Sequence, residues 1–317
     1  MMYIWRDGMK YFGDASLCYS NSLLMLLESY GYEYTIEYIE AIMSMGNGAT
    51  LVNDDLQHPL VYFDNGLPDK SISNTLDILG YGYKEYYLED IENFVLDEVI
   101  HKLNKYLENG SVIAGPIDMG YLKYNPNHSN LLGVDHFVCI TKLVKSNIYL
   151  HDPAGFPFMK VPLKEFIKSW EAKNIEYKRG SFSMWGNLKK GSEPCDRKIY
   201  NSVISIIKTR YMHSEENVIE NYAEAIFQNG LNEMQEEMHK YFSFRLASVR
   251  NLYISNFLRE FDKEKALIKE KIAINFSKAH IESVNKEFKK LSNTLKEISI
   301  LDNKFKQLCI NYEEEKL

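Results

Sequence analysis

Three residues of this chain could together carry out nucleophilic chemistry: Cys18, His136 and Asp152. Cys18 opens an apolar pattern of helical spacing, His136 begins one strand-like run, and Asp152 ends the next run. A cysteine nucleophile needs a base within hydrogen-bond reach and a third group that orients the base. A cysteine, a histidine and an aspartate meet these needs, so the pattern predicts acyl-transfer chemistry.

Cys18 lies at the start of a predicted helix, in which Leu23 and Leu27 fall on one face and Gly31 supplies a C-cap. The N–H groups and the dipole at a helix start stabilise a thiolate, so we expect a lowered pKa for the Cys18 thiol. The same N–H groups would bind the oxyanion of a tetrahedral intermediate. Asp14 is predicted either to shape the oxyanion site or to cap the first helix, with capping favoured.

A predicted β-hairpin brings the histidine and the aspartate together. Residues 136–141 and 147–152 read as two strands separated by a short polar turn. A tight antiparallel hairpin pairs the end of its second strand with the beginning of its first. This pairing places Asp152 beside His136.

Two neighbouring residues compete for these roles. His151 precedes Asp152, and Asp135 precedes His136. Successive side chains on a strand point to opposite faces, so both competitors are directed away from the predicted pair. We therefore assign the base to His136 and the orienting acid to Asp152.

A glycine-flanked, aromatic segment, residues 115–124, follows a short apolar run and is expected next to this site. We expect the segment to line the substrate cleft, with Asp118, Tyr121 and Tyr124 as its substrate-binding residues. The alternative is an ordinary connecting loop.

The composition limits the classes of protein. A chain of 317 residues with 45% hydrophobic residues can form one large domain or two ordinary ones. A formal net charge of −7 argues against a nucleic-acid partner. The four cysteines contain no CxxC pair, and the histidines are not spaced as ligand pairs, so we expect reduced thiols and no metal site.

The sequence also predicts the compartment. No apolar run approaches the roughly 18 residues that a membrane-spanning helix needs. Residues 1–7 lack the basic and then apolar layout of a signal peptide. We expect a cytoplasmic protein with no membrane partner.

The chain changes character near residue 192, because every proline lies at or before Pro194 and Gly230 is the only glycine after Gly191. Short alternating runs and turn signals precede this point, and apolar residues at helical spacing follow it. We therefore predict two domains, residues 1–192 and 193–317.

Two apolar stripes indicate that the second domain is a helical bundle. One stripe runs from Leu231 to Phe261, and the other runs from Ile281 to Leu308 and predicts a single long helix. A helical arm of this kind would also allow a homodimer through the helical domain.

The candidate site resembles the papain-like cysteine protease superfamily, in particular the branch with the C39-type peptidases and the butirosin BtrH N-terminal acyltransferase domain. The matching pieces are CYSNSL at 18–23, GVDHFV at 133–138 and HDPAG at 151–155. The resemblance covers roughly residues 10–190.

This resemblance implies an α+β fold: a nucleophile helix packed on an antiparallel sheet, followed by an α-helical C-terminal domain. It implies that Cys18 attacks, that His136 serves as base and then acid, and that Asp152 holds the imidazole. In the BtrH-like branch an acyl group passes from a carrier-protein thioester to an amine. The implied partners are an acyl or peptidyl carrier protein and a small amine acceptor, with no cofactor beyond the phosphopantetheine that the carrier holds. Related amide synthetases act in thiotemplated pathways such as closthioamide assembly.

The sequence departs from the papain-like peptidases in one respect. Those enzymes carry a glutamine several residues before the cysteine as an oxyanion donor, and residues 11–17 contain none. Three functions stay open: an acyltransferase or amide synthase of natural-product biosynthesis, a cysteine peptidase or amidase with the same three residues, and a non-catalytic scaffold protein. The helical tail favours the acyltransferase, and the missing glutamine argues against a standard peptidase and, less strongly, against any catalysis.

Overall fold

The computed structural model describes residues 10–53, 55–92 and 94–313. Residues 1–7, on which the signal-peptide prediction rests, lie outside the described residues. The fold is mixed, with α-helices and an antiparallel sheet, as the α+β prediction required.

The elements are numbered in chain order. The strands are β1 (Thr50–Leu51), β2 (Val61–Tyr62), β3 (Tyr81–Leu88), β4 (Val112–Asp118), β5 (Asp135–Val144), β6 (Asn147–Asp152), β7 (Phe156–Pro162) and β8 (Ser181–Lys190). The helices are α1 (Cys18–Ser29), α2 (Ile36–Ile42), α3 (Pro68–Ile78), α4 (Leu96–Leu107), α5 (Leu163–Trp170), α6 (Asp196–Met212), α7 (Val218–Asn229), α8 (Glu233–Tyr241), α9 (Ser243–Arg259), α10 (Lys263–Val284) and α11 (Phe288–Ile310).

The chain forms two compact units. The first unit comprises Met1–Ile39 and Leu67–Glu193, and the second comprises Glu40–Gly66 and Pro194–Leu317. The later boundary lies within two residues of the predicted one. The difference is the segment 40–66, which the sequence assigned to the first domain and which folds with the second unit.

The first unit is built on a six-stranded sheet with the strand order β3-β8-β4-β5-β6-β7. All neighbouring strands in this order run antiparallel. The predicted hairpin is confirmed as β5 and β6, which place Cys139 opposite His151. Lys145 in the connecting turn has a φ of 55°, the left-handed conformation that tight turns require. The short apolar run before the aromatic segment is confirmed as β4.

Helices cover the sheet and hold the site elements in place. Val138 and Ile140 of β5 belong to one buried apolar cluster with Phe166 and Trp170 of α5. The predicted first helix is confirmed as α1, which packs against β4 and β5. Full burial of one such side chain stabilises a fold by about 1.5–3 kcal/mol, so the contacts of this cluster and of α1 keep the helix start fixed against β5.

The second unit contains α6 to α11, and a buried ion-pair cluster explains why the segment 40–66 belongs to it. Arg250 of α9 is 1% exposed, and its guanidinium donates to Glu40 at 2.7 Å and to Asp64 at 3.0 Å. A buried charge is tolerated only with partners of opposite charge, so the segment that carries both carboxylates must pack against α9. Gly46 lies beside this cluster, where an added Cβ would come within 2.6 Å of the Arg250 side chain.

The sequence predicted one long helix for the stripe from Ile281 to Leu308, and this prediction is wrong. Helix α10 ends at Val284, α11 begins at Phe288, and Lys286 between them has a φ of 58°. Ile281 is 60% exposed, whereas Leu291 is fully buried. An interruption of three residues preserves the three-and-four spacing, so periodicity alone could not reveal the break.

Within the described residues, no helix is both long enough and apolar enough to cross a bilayer.

Replacing the buried arginine tests the ion-pair cluster. We expect Arg250→Ala to lower the free energy of unfolding by about 3–5 kcal/mol, because buried Glu40 and Asp64 both lose a hydrogen-bonded cation, although Arg210 and Lys269 still act on Asp64. Chemical denaturation followed by circular dichroism measures this change. Arg245→Ala, at an exposed position of the same helix, is the matched control and should stay within about 0.5 kcal/mol of the wild type. Equal effects of the two substitutions would contradict the account.

Candidate active site

Cys18 is the first residue of α1 and is buried, with 4% of its surface exposed. A 3-10 helix, Ala15–Leu17, leads directly into α1. The carboxylate of Asp14 caps this short helix by accepting a hydrogen bond from the N–H of Ser16 at 2.9 Å. Asp14 therefore caps the 3-10 helix that precedes α1, whereas the favoured one of its two predicted roles was to cap α1 itself.

The structure brings His136 and Asp152 into direct contact. Nε2 of His136 lies 2.6 Å from Oδ1 of Asp152, and both side chains are buried. His136 is the second residue of β5 and Asp152 is the last residue of β6, so hairpin pairing sets this contact. The turn after Asp152 continues through Gly155, which adopts a φ of 96° that favours glycine.

Cys18 completes a hydrogen-bonded chain with these two residues. The Cys18 side chain forms a hydrogen bond with the His136 side chain. Because Asp152 occupies Nε2, Nδ1 is the ring nitrogen left for the sulfur. The sulfur also accepts a hydrogen bond from the backbone N–H of Phe137. A thiol, an imidazole and a carboxylate are thus connected in sequence.

The expected lowering of the Cys18 pKa is wrong. Burial raises the pKa of the thiol above its usual value, because a thiolate in this site loses its hydration. The His136 ring and the Phe137 N–H oppose this effect without cancelling it. The negative charge of Asp135 disfavours the thiolate further. The helix start was readable from the sequence, but the burial of the sulfur was not.

His136 is a strong proton acceptor, and Asp152 is a stable carboxylate. Burial disfavours the imidazolium, yet the negative charge of Asp152, joined by that of Cys18 once its thiolate forms, overcomes it and raises the pKa of His136 well above its usual value. Burial also works against the carboxylate, but His136 and Tyr124 help to hold the pKa of Asp152 below its usual value. The imidazolium that forms when the ring accepts the Cys18 proton is placed to stabilise the thiolate.

Asp118, a predicted substrate-binding residue, makes its described contacts within the protein. It is fully buried, and its Oδ1 accepts hydrogen bonds from the N–H groups of Gly120 at 2.8 Å and Gly133 at 3.0 Å. Its Oδ2 accepts from the side-chain amide of Asn174 at 2.7 Å. Asp118 is the last residue of β4, and its carboxylate links three segments of the chain, while its contact with a substrate stays a prediction.

The two predicted substrate tyrosines differ from each other. Tyr121 is 37% exposed, and its contact with a substrate stays a prediction. The hydroxyl of Tyr124 donates to Oδ2 of Asp152 at 2.7 Å. Tyr124 therefore contacts the Asp152 carboxylate, and no sequence pattern predicted this contact.

Asp135 affects the site electrostatically, although strand alternation directs its side chain away. Its charge interacts with Cys18 and with His136. The hydroxyl of Tyr177 donates to the Asp135 carboxylate at 2.7 Å. Tyr177 stands in the loop after α5, more than 40 residues from Asp135, so no local pattern could connect them.

His151 takes no part in the chain of contacts between Cys18, His136 and Asp152 that the structure describes. Its Nδ1 accepts a hydrogen bond from the N–H of Phe158 at 3.2 Å, and its ring packs against Phe158 and Tyr11. Among the residues that the structure describes, no group of three or more histidine, cysteine or acidic side chains could hold a metal ion.

The fold and the site define a mixed helix-and-sheet protein with a buried cluster of a cysteine, a histidine and an aspartate. No protein-family model matches the chain. The chain is 31% identical over 304 residues to a Bacillus subtilis (strain 168) protein named Uncharacterized protein YobF. The matched region covers 93% of this chain and 96% of the relative. The chain belongs to the YobF family.

The pH dependence of Cys18 alkylation tests the electrostatics of the site. The thiolate is the reactive form, so a raised thiol pKa predicts slow modification at neutral pH and a midpoint on the alkaline side of the usual thiol range. His136→Gln removes a group that lowers this pKa, so the midpoint should move further upward. Iodoacetamide labelling read by peptide mass spectrometry measures both rates, with the exposed Cys195 as internal reference.

His101→Gln is the matched control, because this histidine is exposed on α4 and does not contact the site. It should leave the midpoint unchanged. A Cys18 midpoint below the usual thiol range would overturn the assignment of the raised pKa.

Proposed function

We propose that this protein is a cysteine-dependent acyltransferase of the papain-like type. In this proposal it takes an acyl group from a carrier-protein thioester and forms an amide with an amine. The observation that carries the proposal is the connected chain from Cys18 through His136 to Asp152, with the contact of 2.6 Å at its end. A helix that starts at the nucleophile and packs on β4 and β5 is the arrangement that the papain-like resemblance implies.

The first half-reaction moves the acyl group onto the protein. The proton of the Cys18 thiol passes to Nδ1 of His136, and the sulfur attacks the thioester carbonyl. A new carbon–sulfur bond forms to Cys18, the bond to the phosphopantetheine sulfur breaks, and that sulfur leaves with the proton from His136. One thioester replaces another, so the exchange is nearly balanced in energy.

The tetrahedral intermediate of this step needs hydrogen-bond donors for its oxyanion. We assign this role to the N–H groups at the start of α1, next to the sulfur. No described side chain caps the N-terminus of α1, since its N-cap residue, Leu17, has no polar side chain. This assignment supplies donors from the backbone, where papain-like peptidases use a glutamine side chain.

The second half-reaction forms the amide. The amine attacks the acyl carbonyl, its proton passes to His136, and the Cys18 sulfur leaves and recovers a proton from the imidazolium. Asp152 keeps the ring oriented and stabilises its charge during both transfers. Burial of the site excludes water, which favours attack by an amine over hydrolysis.

The burial of Cys18 also limits which acyl donors can reach it. A thiol with 4% exposure is easier to reach for a thin, extended pantetheine arm than for a folded polypeptide. This favours a carrier-bound thioester over a protein substrate. The proposal includes no metal and no cofactor other than the carrier's own arm, and it places the reaction in the cytoplasm as part of natural-product biosynthesis.

A single mass-spectrometric experiment tests this function. The protein is incubated with a panel of acyl-carrier thioesters, with and without small amines. We expect an acyl adduct on wild-type Cys18 that amines discharge as an amide, and no adduct on Cys18→Ala. Cys195→Ala is the matched control, because this cysteine is exposed and outside the cluster, and it should behave like the wild type.

The outcomes separate the remaining classes. Release of free acid without any amine dependence would replace the proposal by a cysteine peptidase or amidase. Failure of every thioester to label Cys18, or amide formation that survives Cys18→Ala, would refute an acyltransferase.

A further inference from the structure

We propose that Tyr124 is a positioning residue, which holds the Asp152 carboxylate in the orientation that His136 needs. This role rests on the proposed function, in which Asp152 orients the base. It replaces the substrate-binding role that the sequence predicted for Tyr124.

The carboxylate of Asp152 accepts three hydrogen bonds, which together use both of its oxygens. Oδ1 accepts from the N–H of Ala154 at 2.6 Å and is the atom 2.6 Å from Nε2 of His136. Oδ2 accepts from the hydroxyl of Tyr124 at 2.7 Å. Tyr124 is therefore the described side chain that fixes the second oxygen.

The need for this bond follows from the freedom of a carboxylate. The terminal torsion of an aspartate is broad, so hydrogen bonds to one oxygen leave the plane of the carboxylate weakly determined. A donor on the other oxygen fixes that plane, and the plane fixes the direction of the lone pair that faces the imidazole. Asp152 is fully buried, so an Oδ2 without a donor would also lose its hydration without replacement.

Tyr124 is itself held in place. Its ring packs edge-on against Phe156 with 5.4 Å between the ring centroids, and it borders the apolar cluster under the sheet. Its hydroxyl therefore reaches Asp152 from a fixed direction. A tyrosine that was free to bind substrate would require an open side, whereas this hydroxyl is committed to the acid.

A second tyrosine holds the backbone of the same residue. The hydroxyl of Tyr11 donates to the carbonyl oxygen of Asp152 at 2.9 Å and accepts from the N–H of Gly155 at 3.1 Å. Tyr11 thus fixes the position of the chain, and Tyr124 fixes the orientation of the carboxylate. Both contacts converge on the group that orients His136.

The test uses Tyr124→Phe, which removes only the hydroxyl. We expect kcat of acyl transfer to fall about 10- to 100-fold, the loss typical of one hydrogen bond to a buried charge, with KM for the acyl donor within about twofold of the wild type. A substrate-binding tyrosine would instead raise KM with a smaller change in kcat. Tyr106→Phe is the matched control, because Tyr106 is also buried and loses a hydrogen bond, to the Glu85 carbonyl, outside the site.

A second readout does not depend on any activity. The proton between His136 and Asp152 should give a downfield resonance in a spectrum of protein labelled with ¹⁵N-histidine. Loss of the Tyr124 donor raises the pKa of Asp152, so on acidification the resonance should disappear at a higher pH in Tyr124→Phe than in the wild type. Tyr106→Phe should match the wild type in this titration.

These readouts separate the two proposals. If Cys18 accepts no acyl group but the resonance depends on Tyr124, the positioning of Asp152 stands and the proposed function fails. If acyl transfer proceeds and Tyr124→Phe changes neither kcat nor the titration of the resonance, or changes KM alone, the inference is overturned.

Discussion

The site depends on one buried contact, the hydrogen bond between Nε2 of His136 and Oδ1 of Asp152. A carboxylate without access to water is stable only when donors satisfy both of its oxygens. The hairpin of β5 and β6 brings His136 next to Asp152, and Ala154 and Tyr124 supply the other hydrogen-bond donors to the carboxylate. The hydrogen bonds that stabilise the buried carboxylate thus also hold the imidazole in one orientation beside the sulfur.

The same burial shapes the chemistry of Cys18. The His136 ring and the N–H of Phe137 favour a thiolate, while the loss of hydration and the charge of Asp135 oppose it. Together these effects raise the pKa of Cys18, so the sulfur is held as the protonated thiol. A buried, protonated sulfur is protected from adventitious oxidation and alkylation, and its activation then depends on proton transfer to His136.

The parts of the fold that could be predicted are those that depend on short-range sequence patterns. The apolar spacing after Cys18 predicts α1, and the alternating runs before and after Lys145 predict the hairpin that joins His136 to Asp152. Tyr124 and Tyr177 reach Asp152 and Asp135 from segments that are distant in sequence. No sequence pattern around a loop tyrosine indicates which residue its hydroxyl will contact. The membership of residues 40–66 in the second unit depends on Arg250, about 200 residues later, whose need for buried carboxylates has no periodic signature.

The central claim is that Asp152 acts on Cys18 through His136, and a double-mutant cycle on the alkylation rate of Cys18 tests it without knowledge of the substrate. The four proteins are the wild type, Asp152→Asn, His136→Gln and the double variant. The account predicts that Asp152→Asn slows alkylation in the wild type and has almost no effect once His136 is replaced, a coupling of about 0.5–3 kcal/mol. Independent, additive effects of the two substitutions would contradict it.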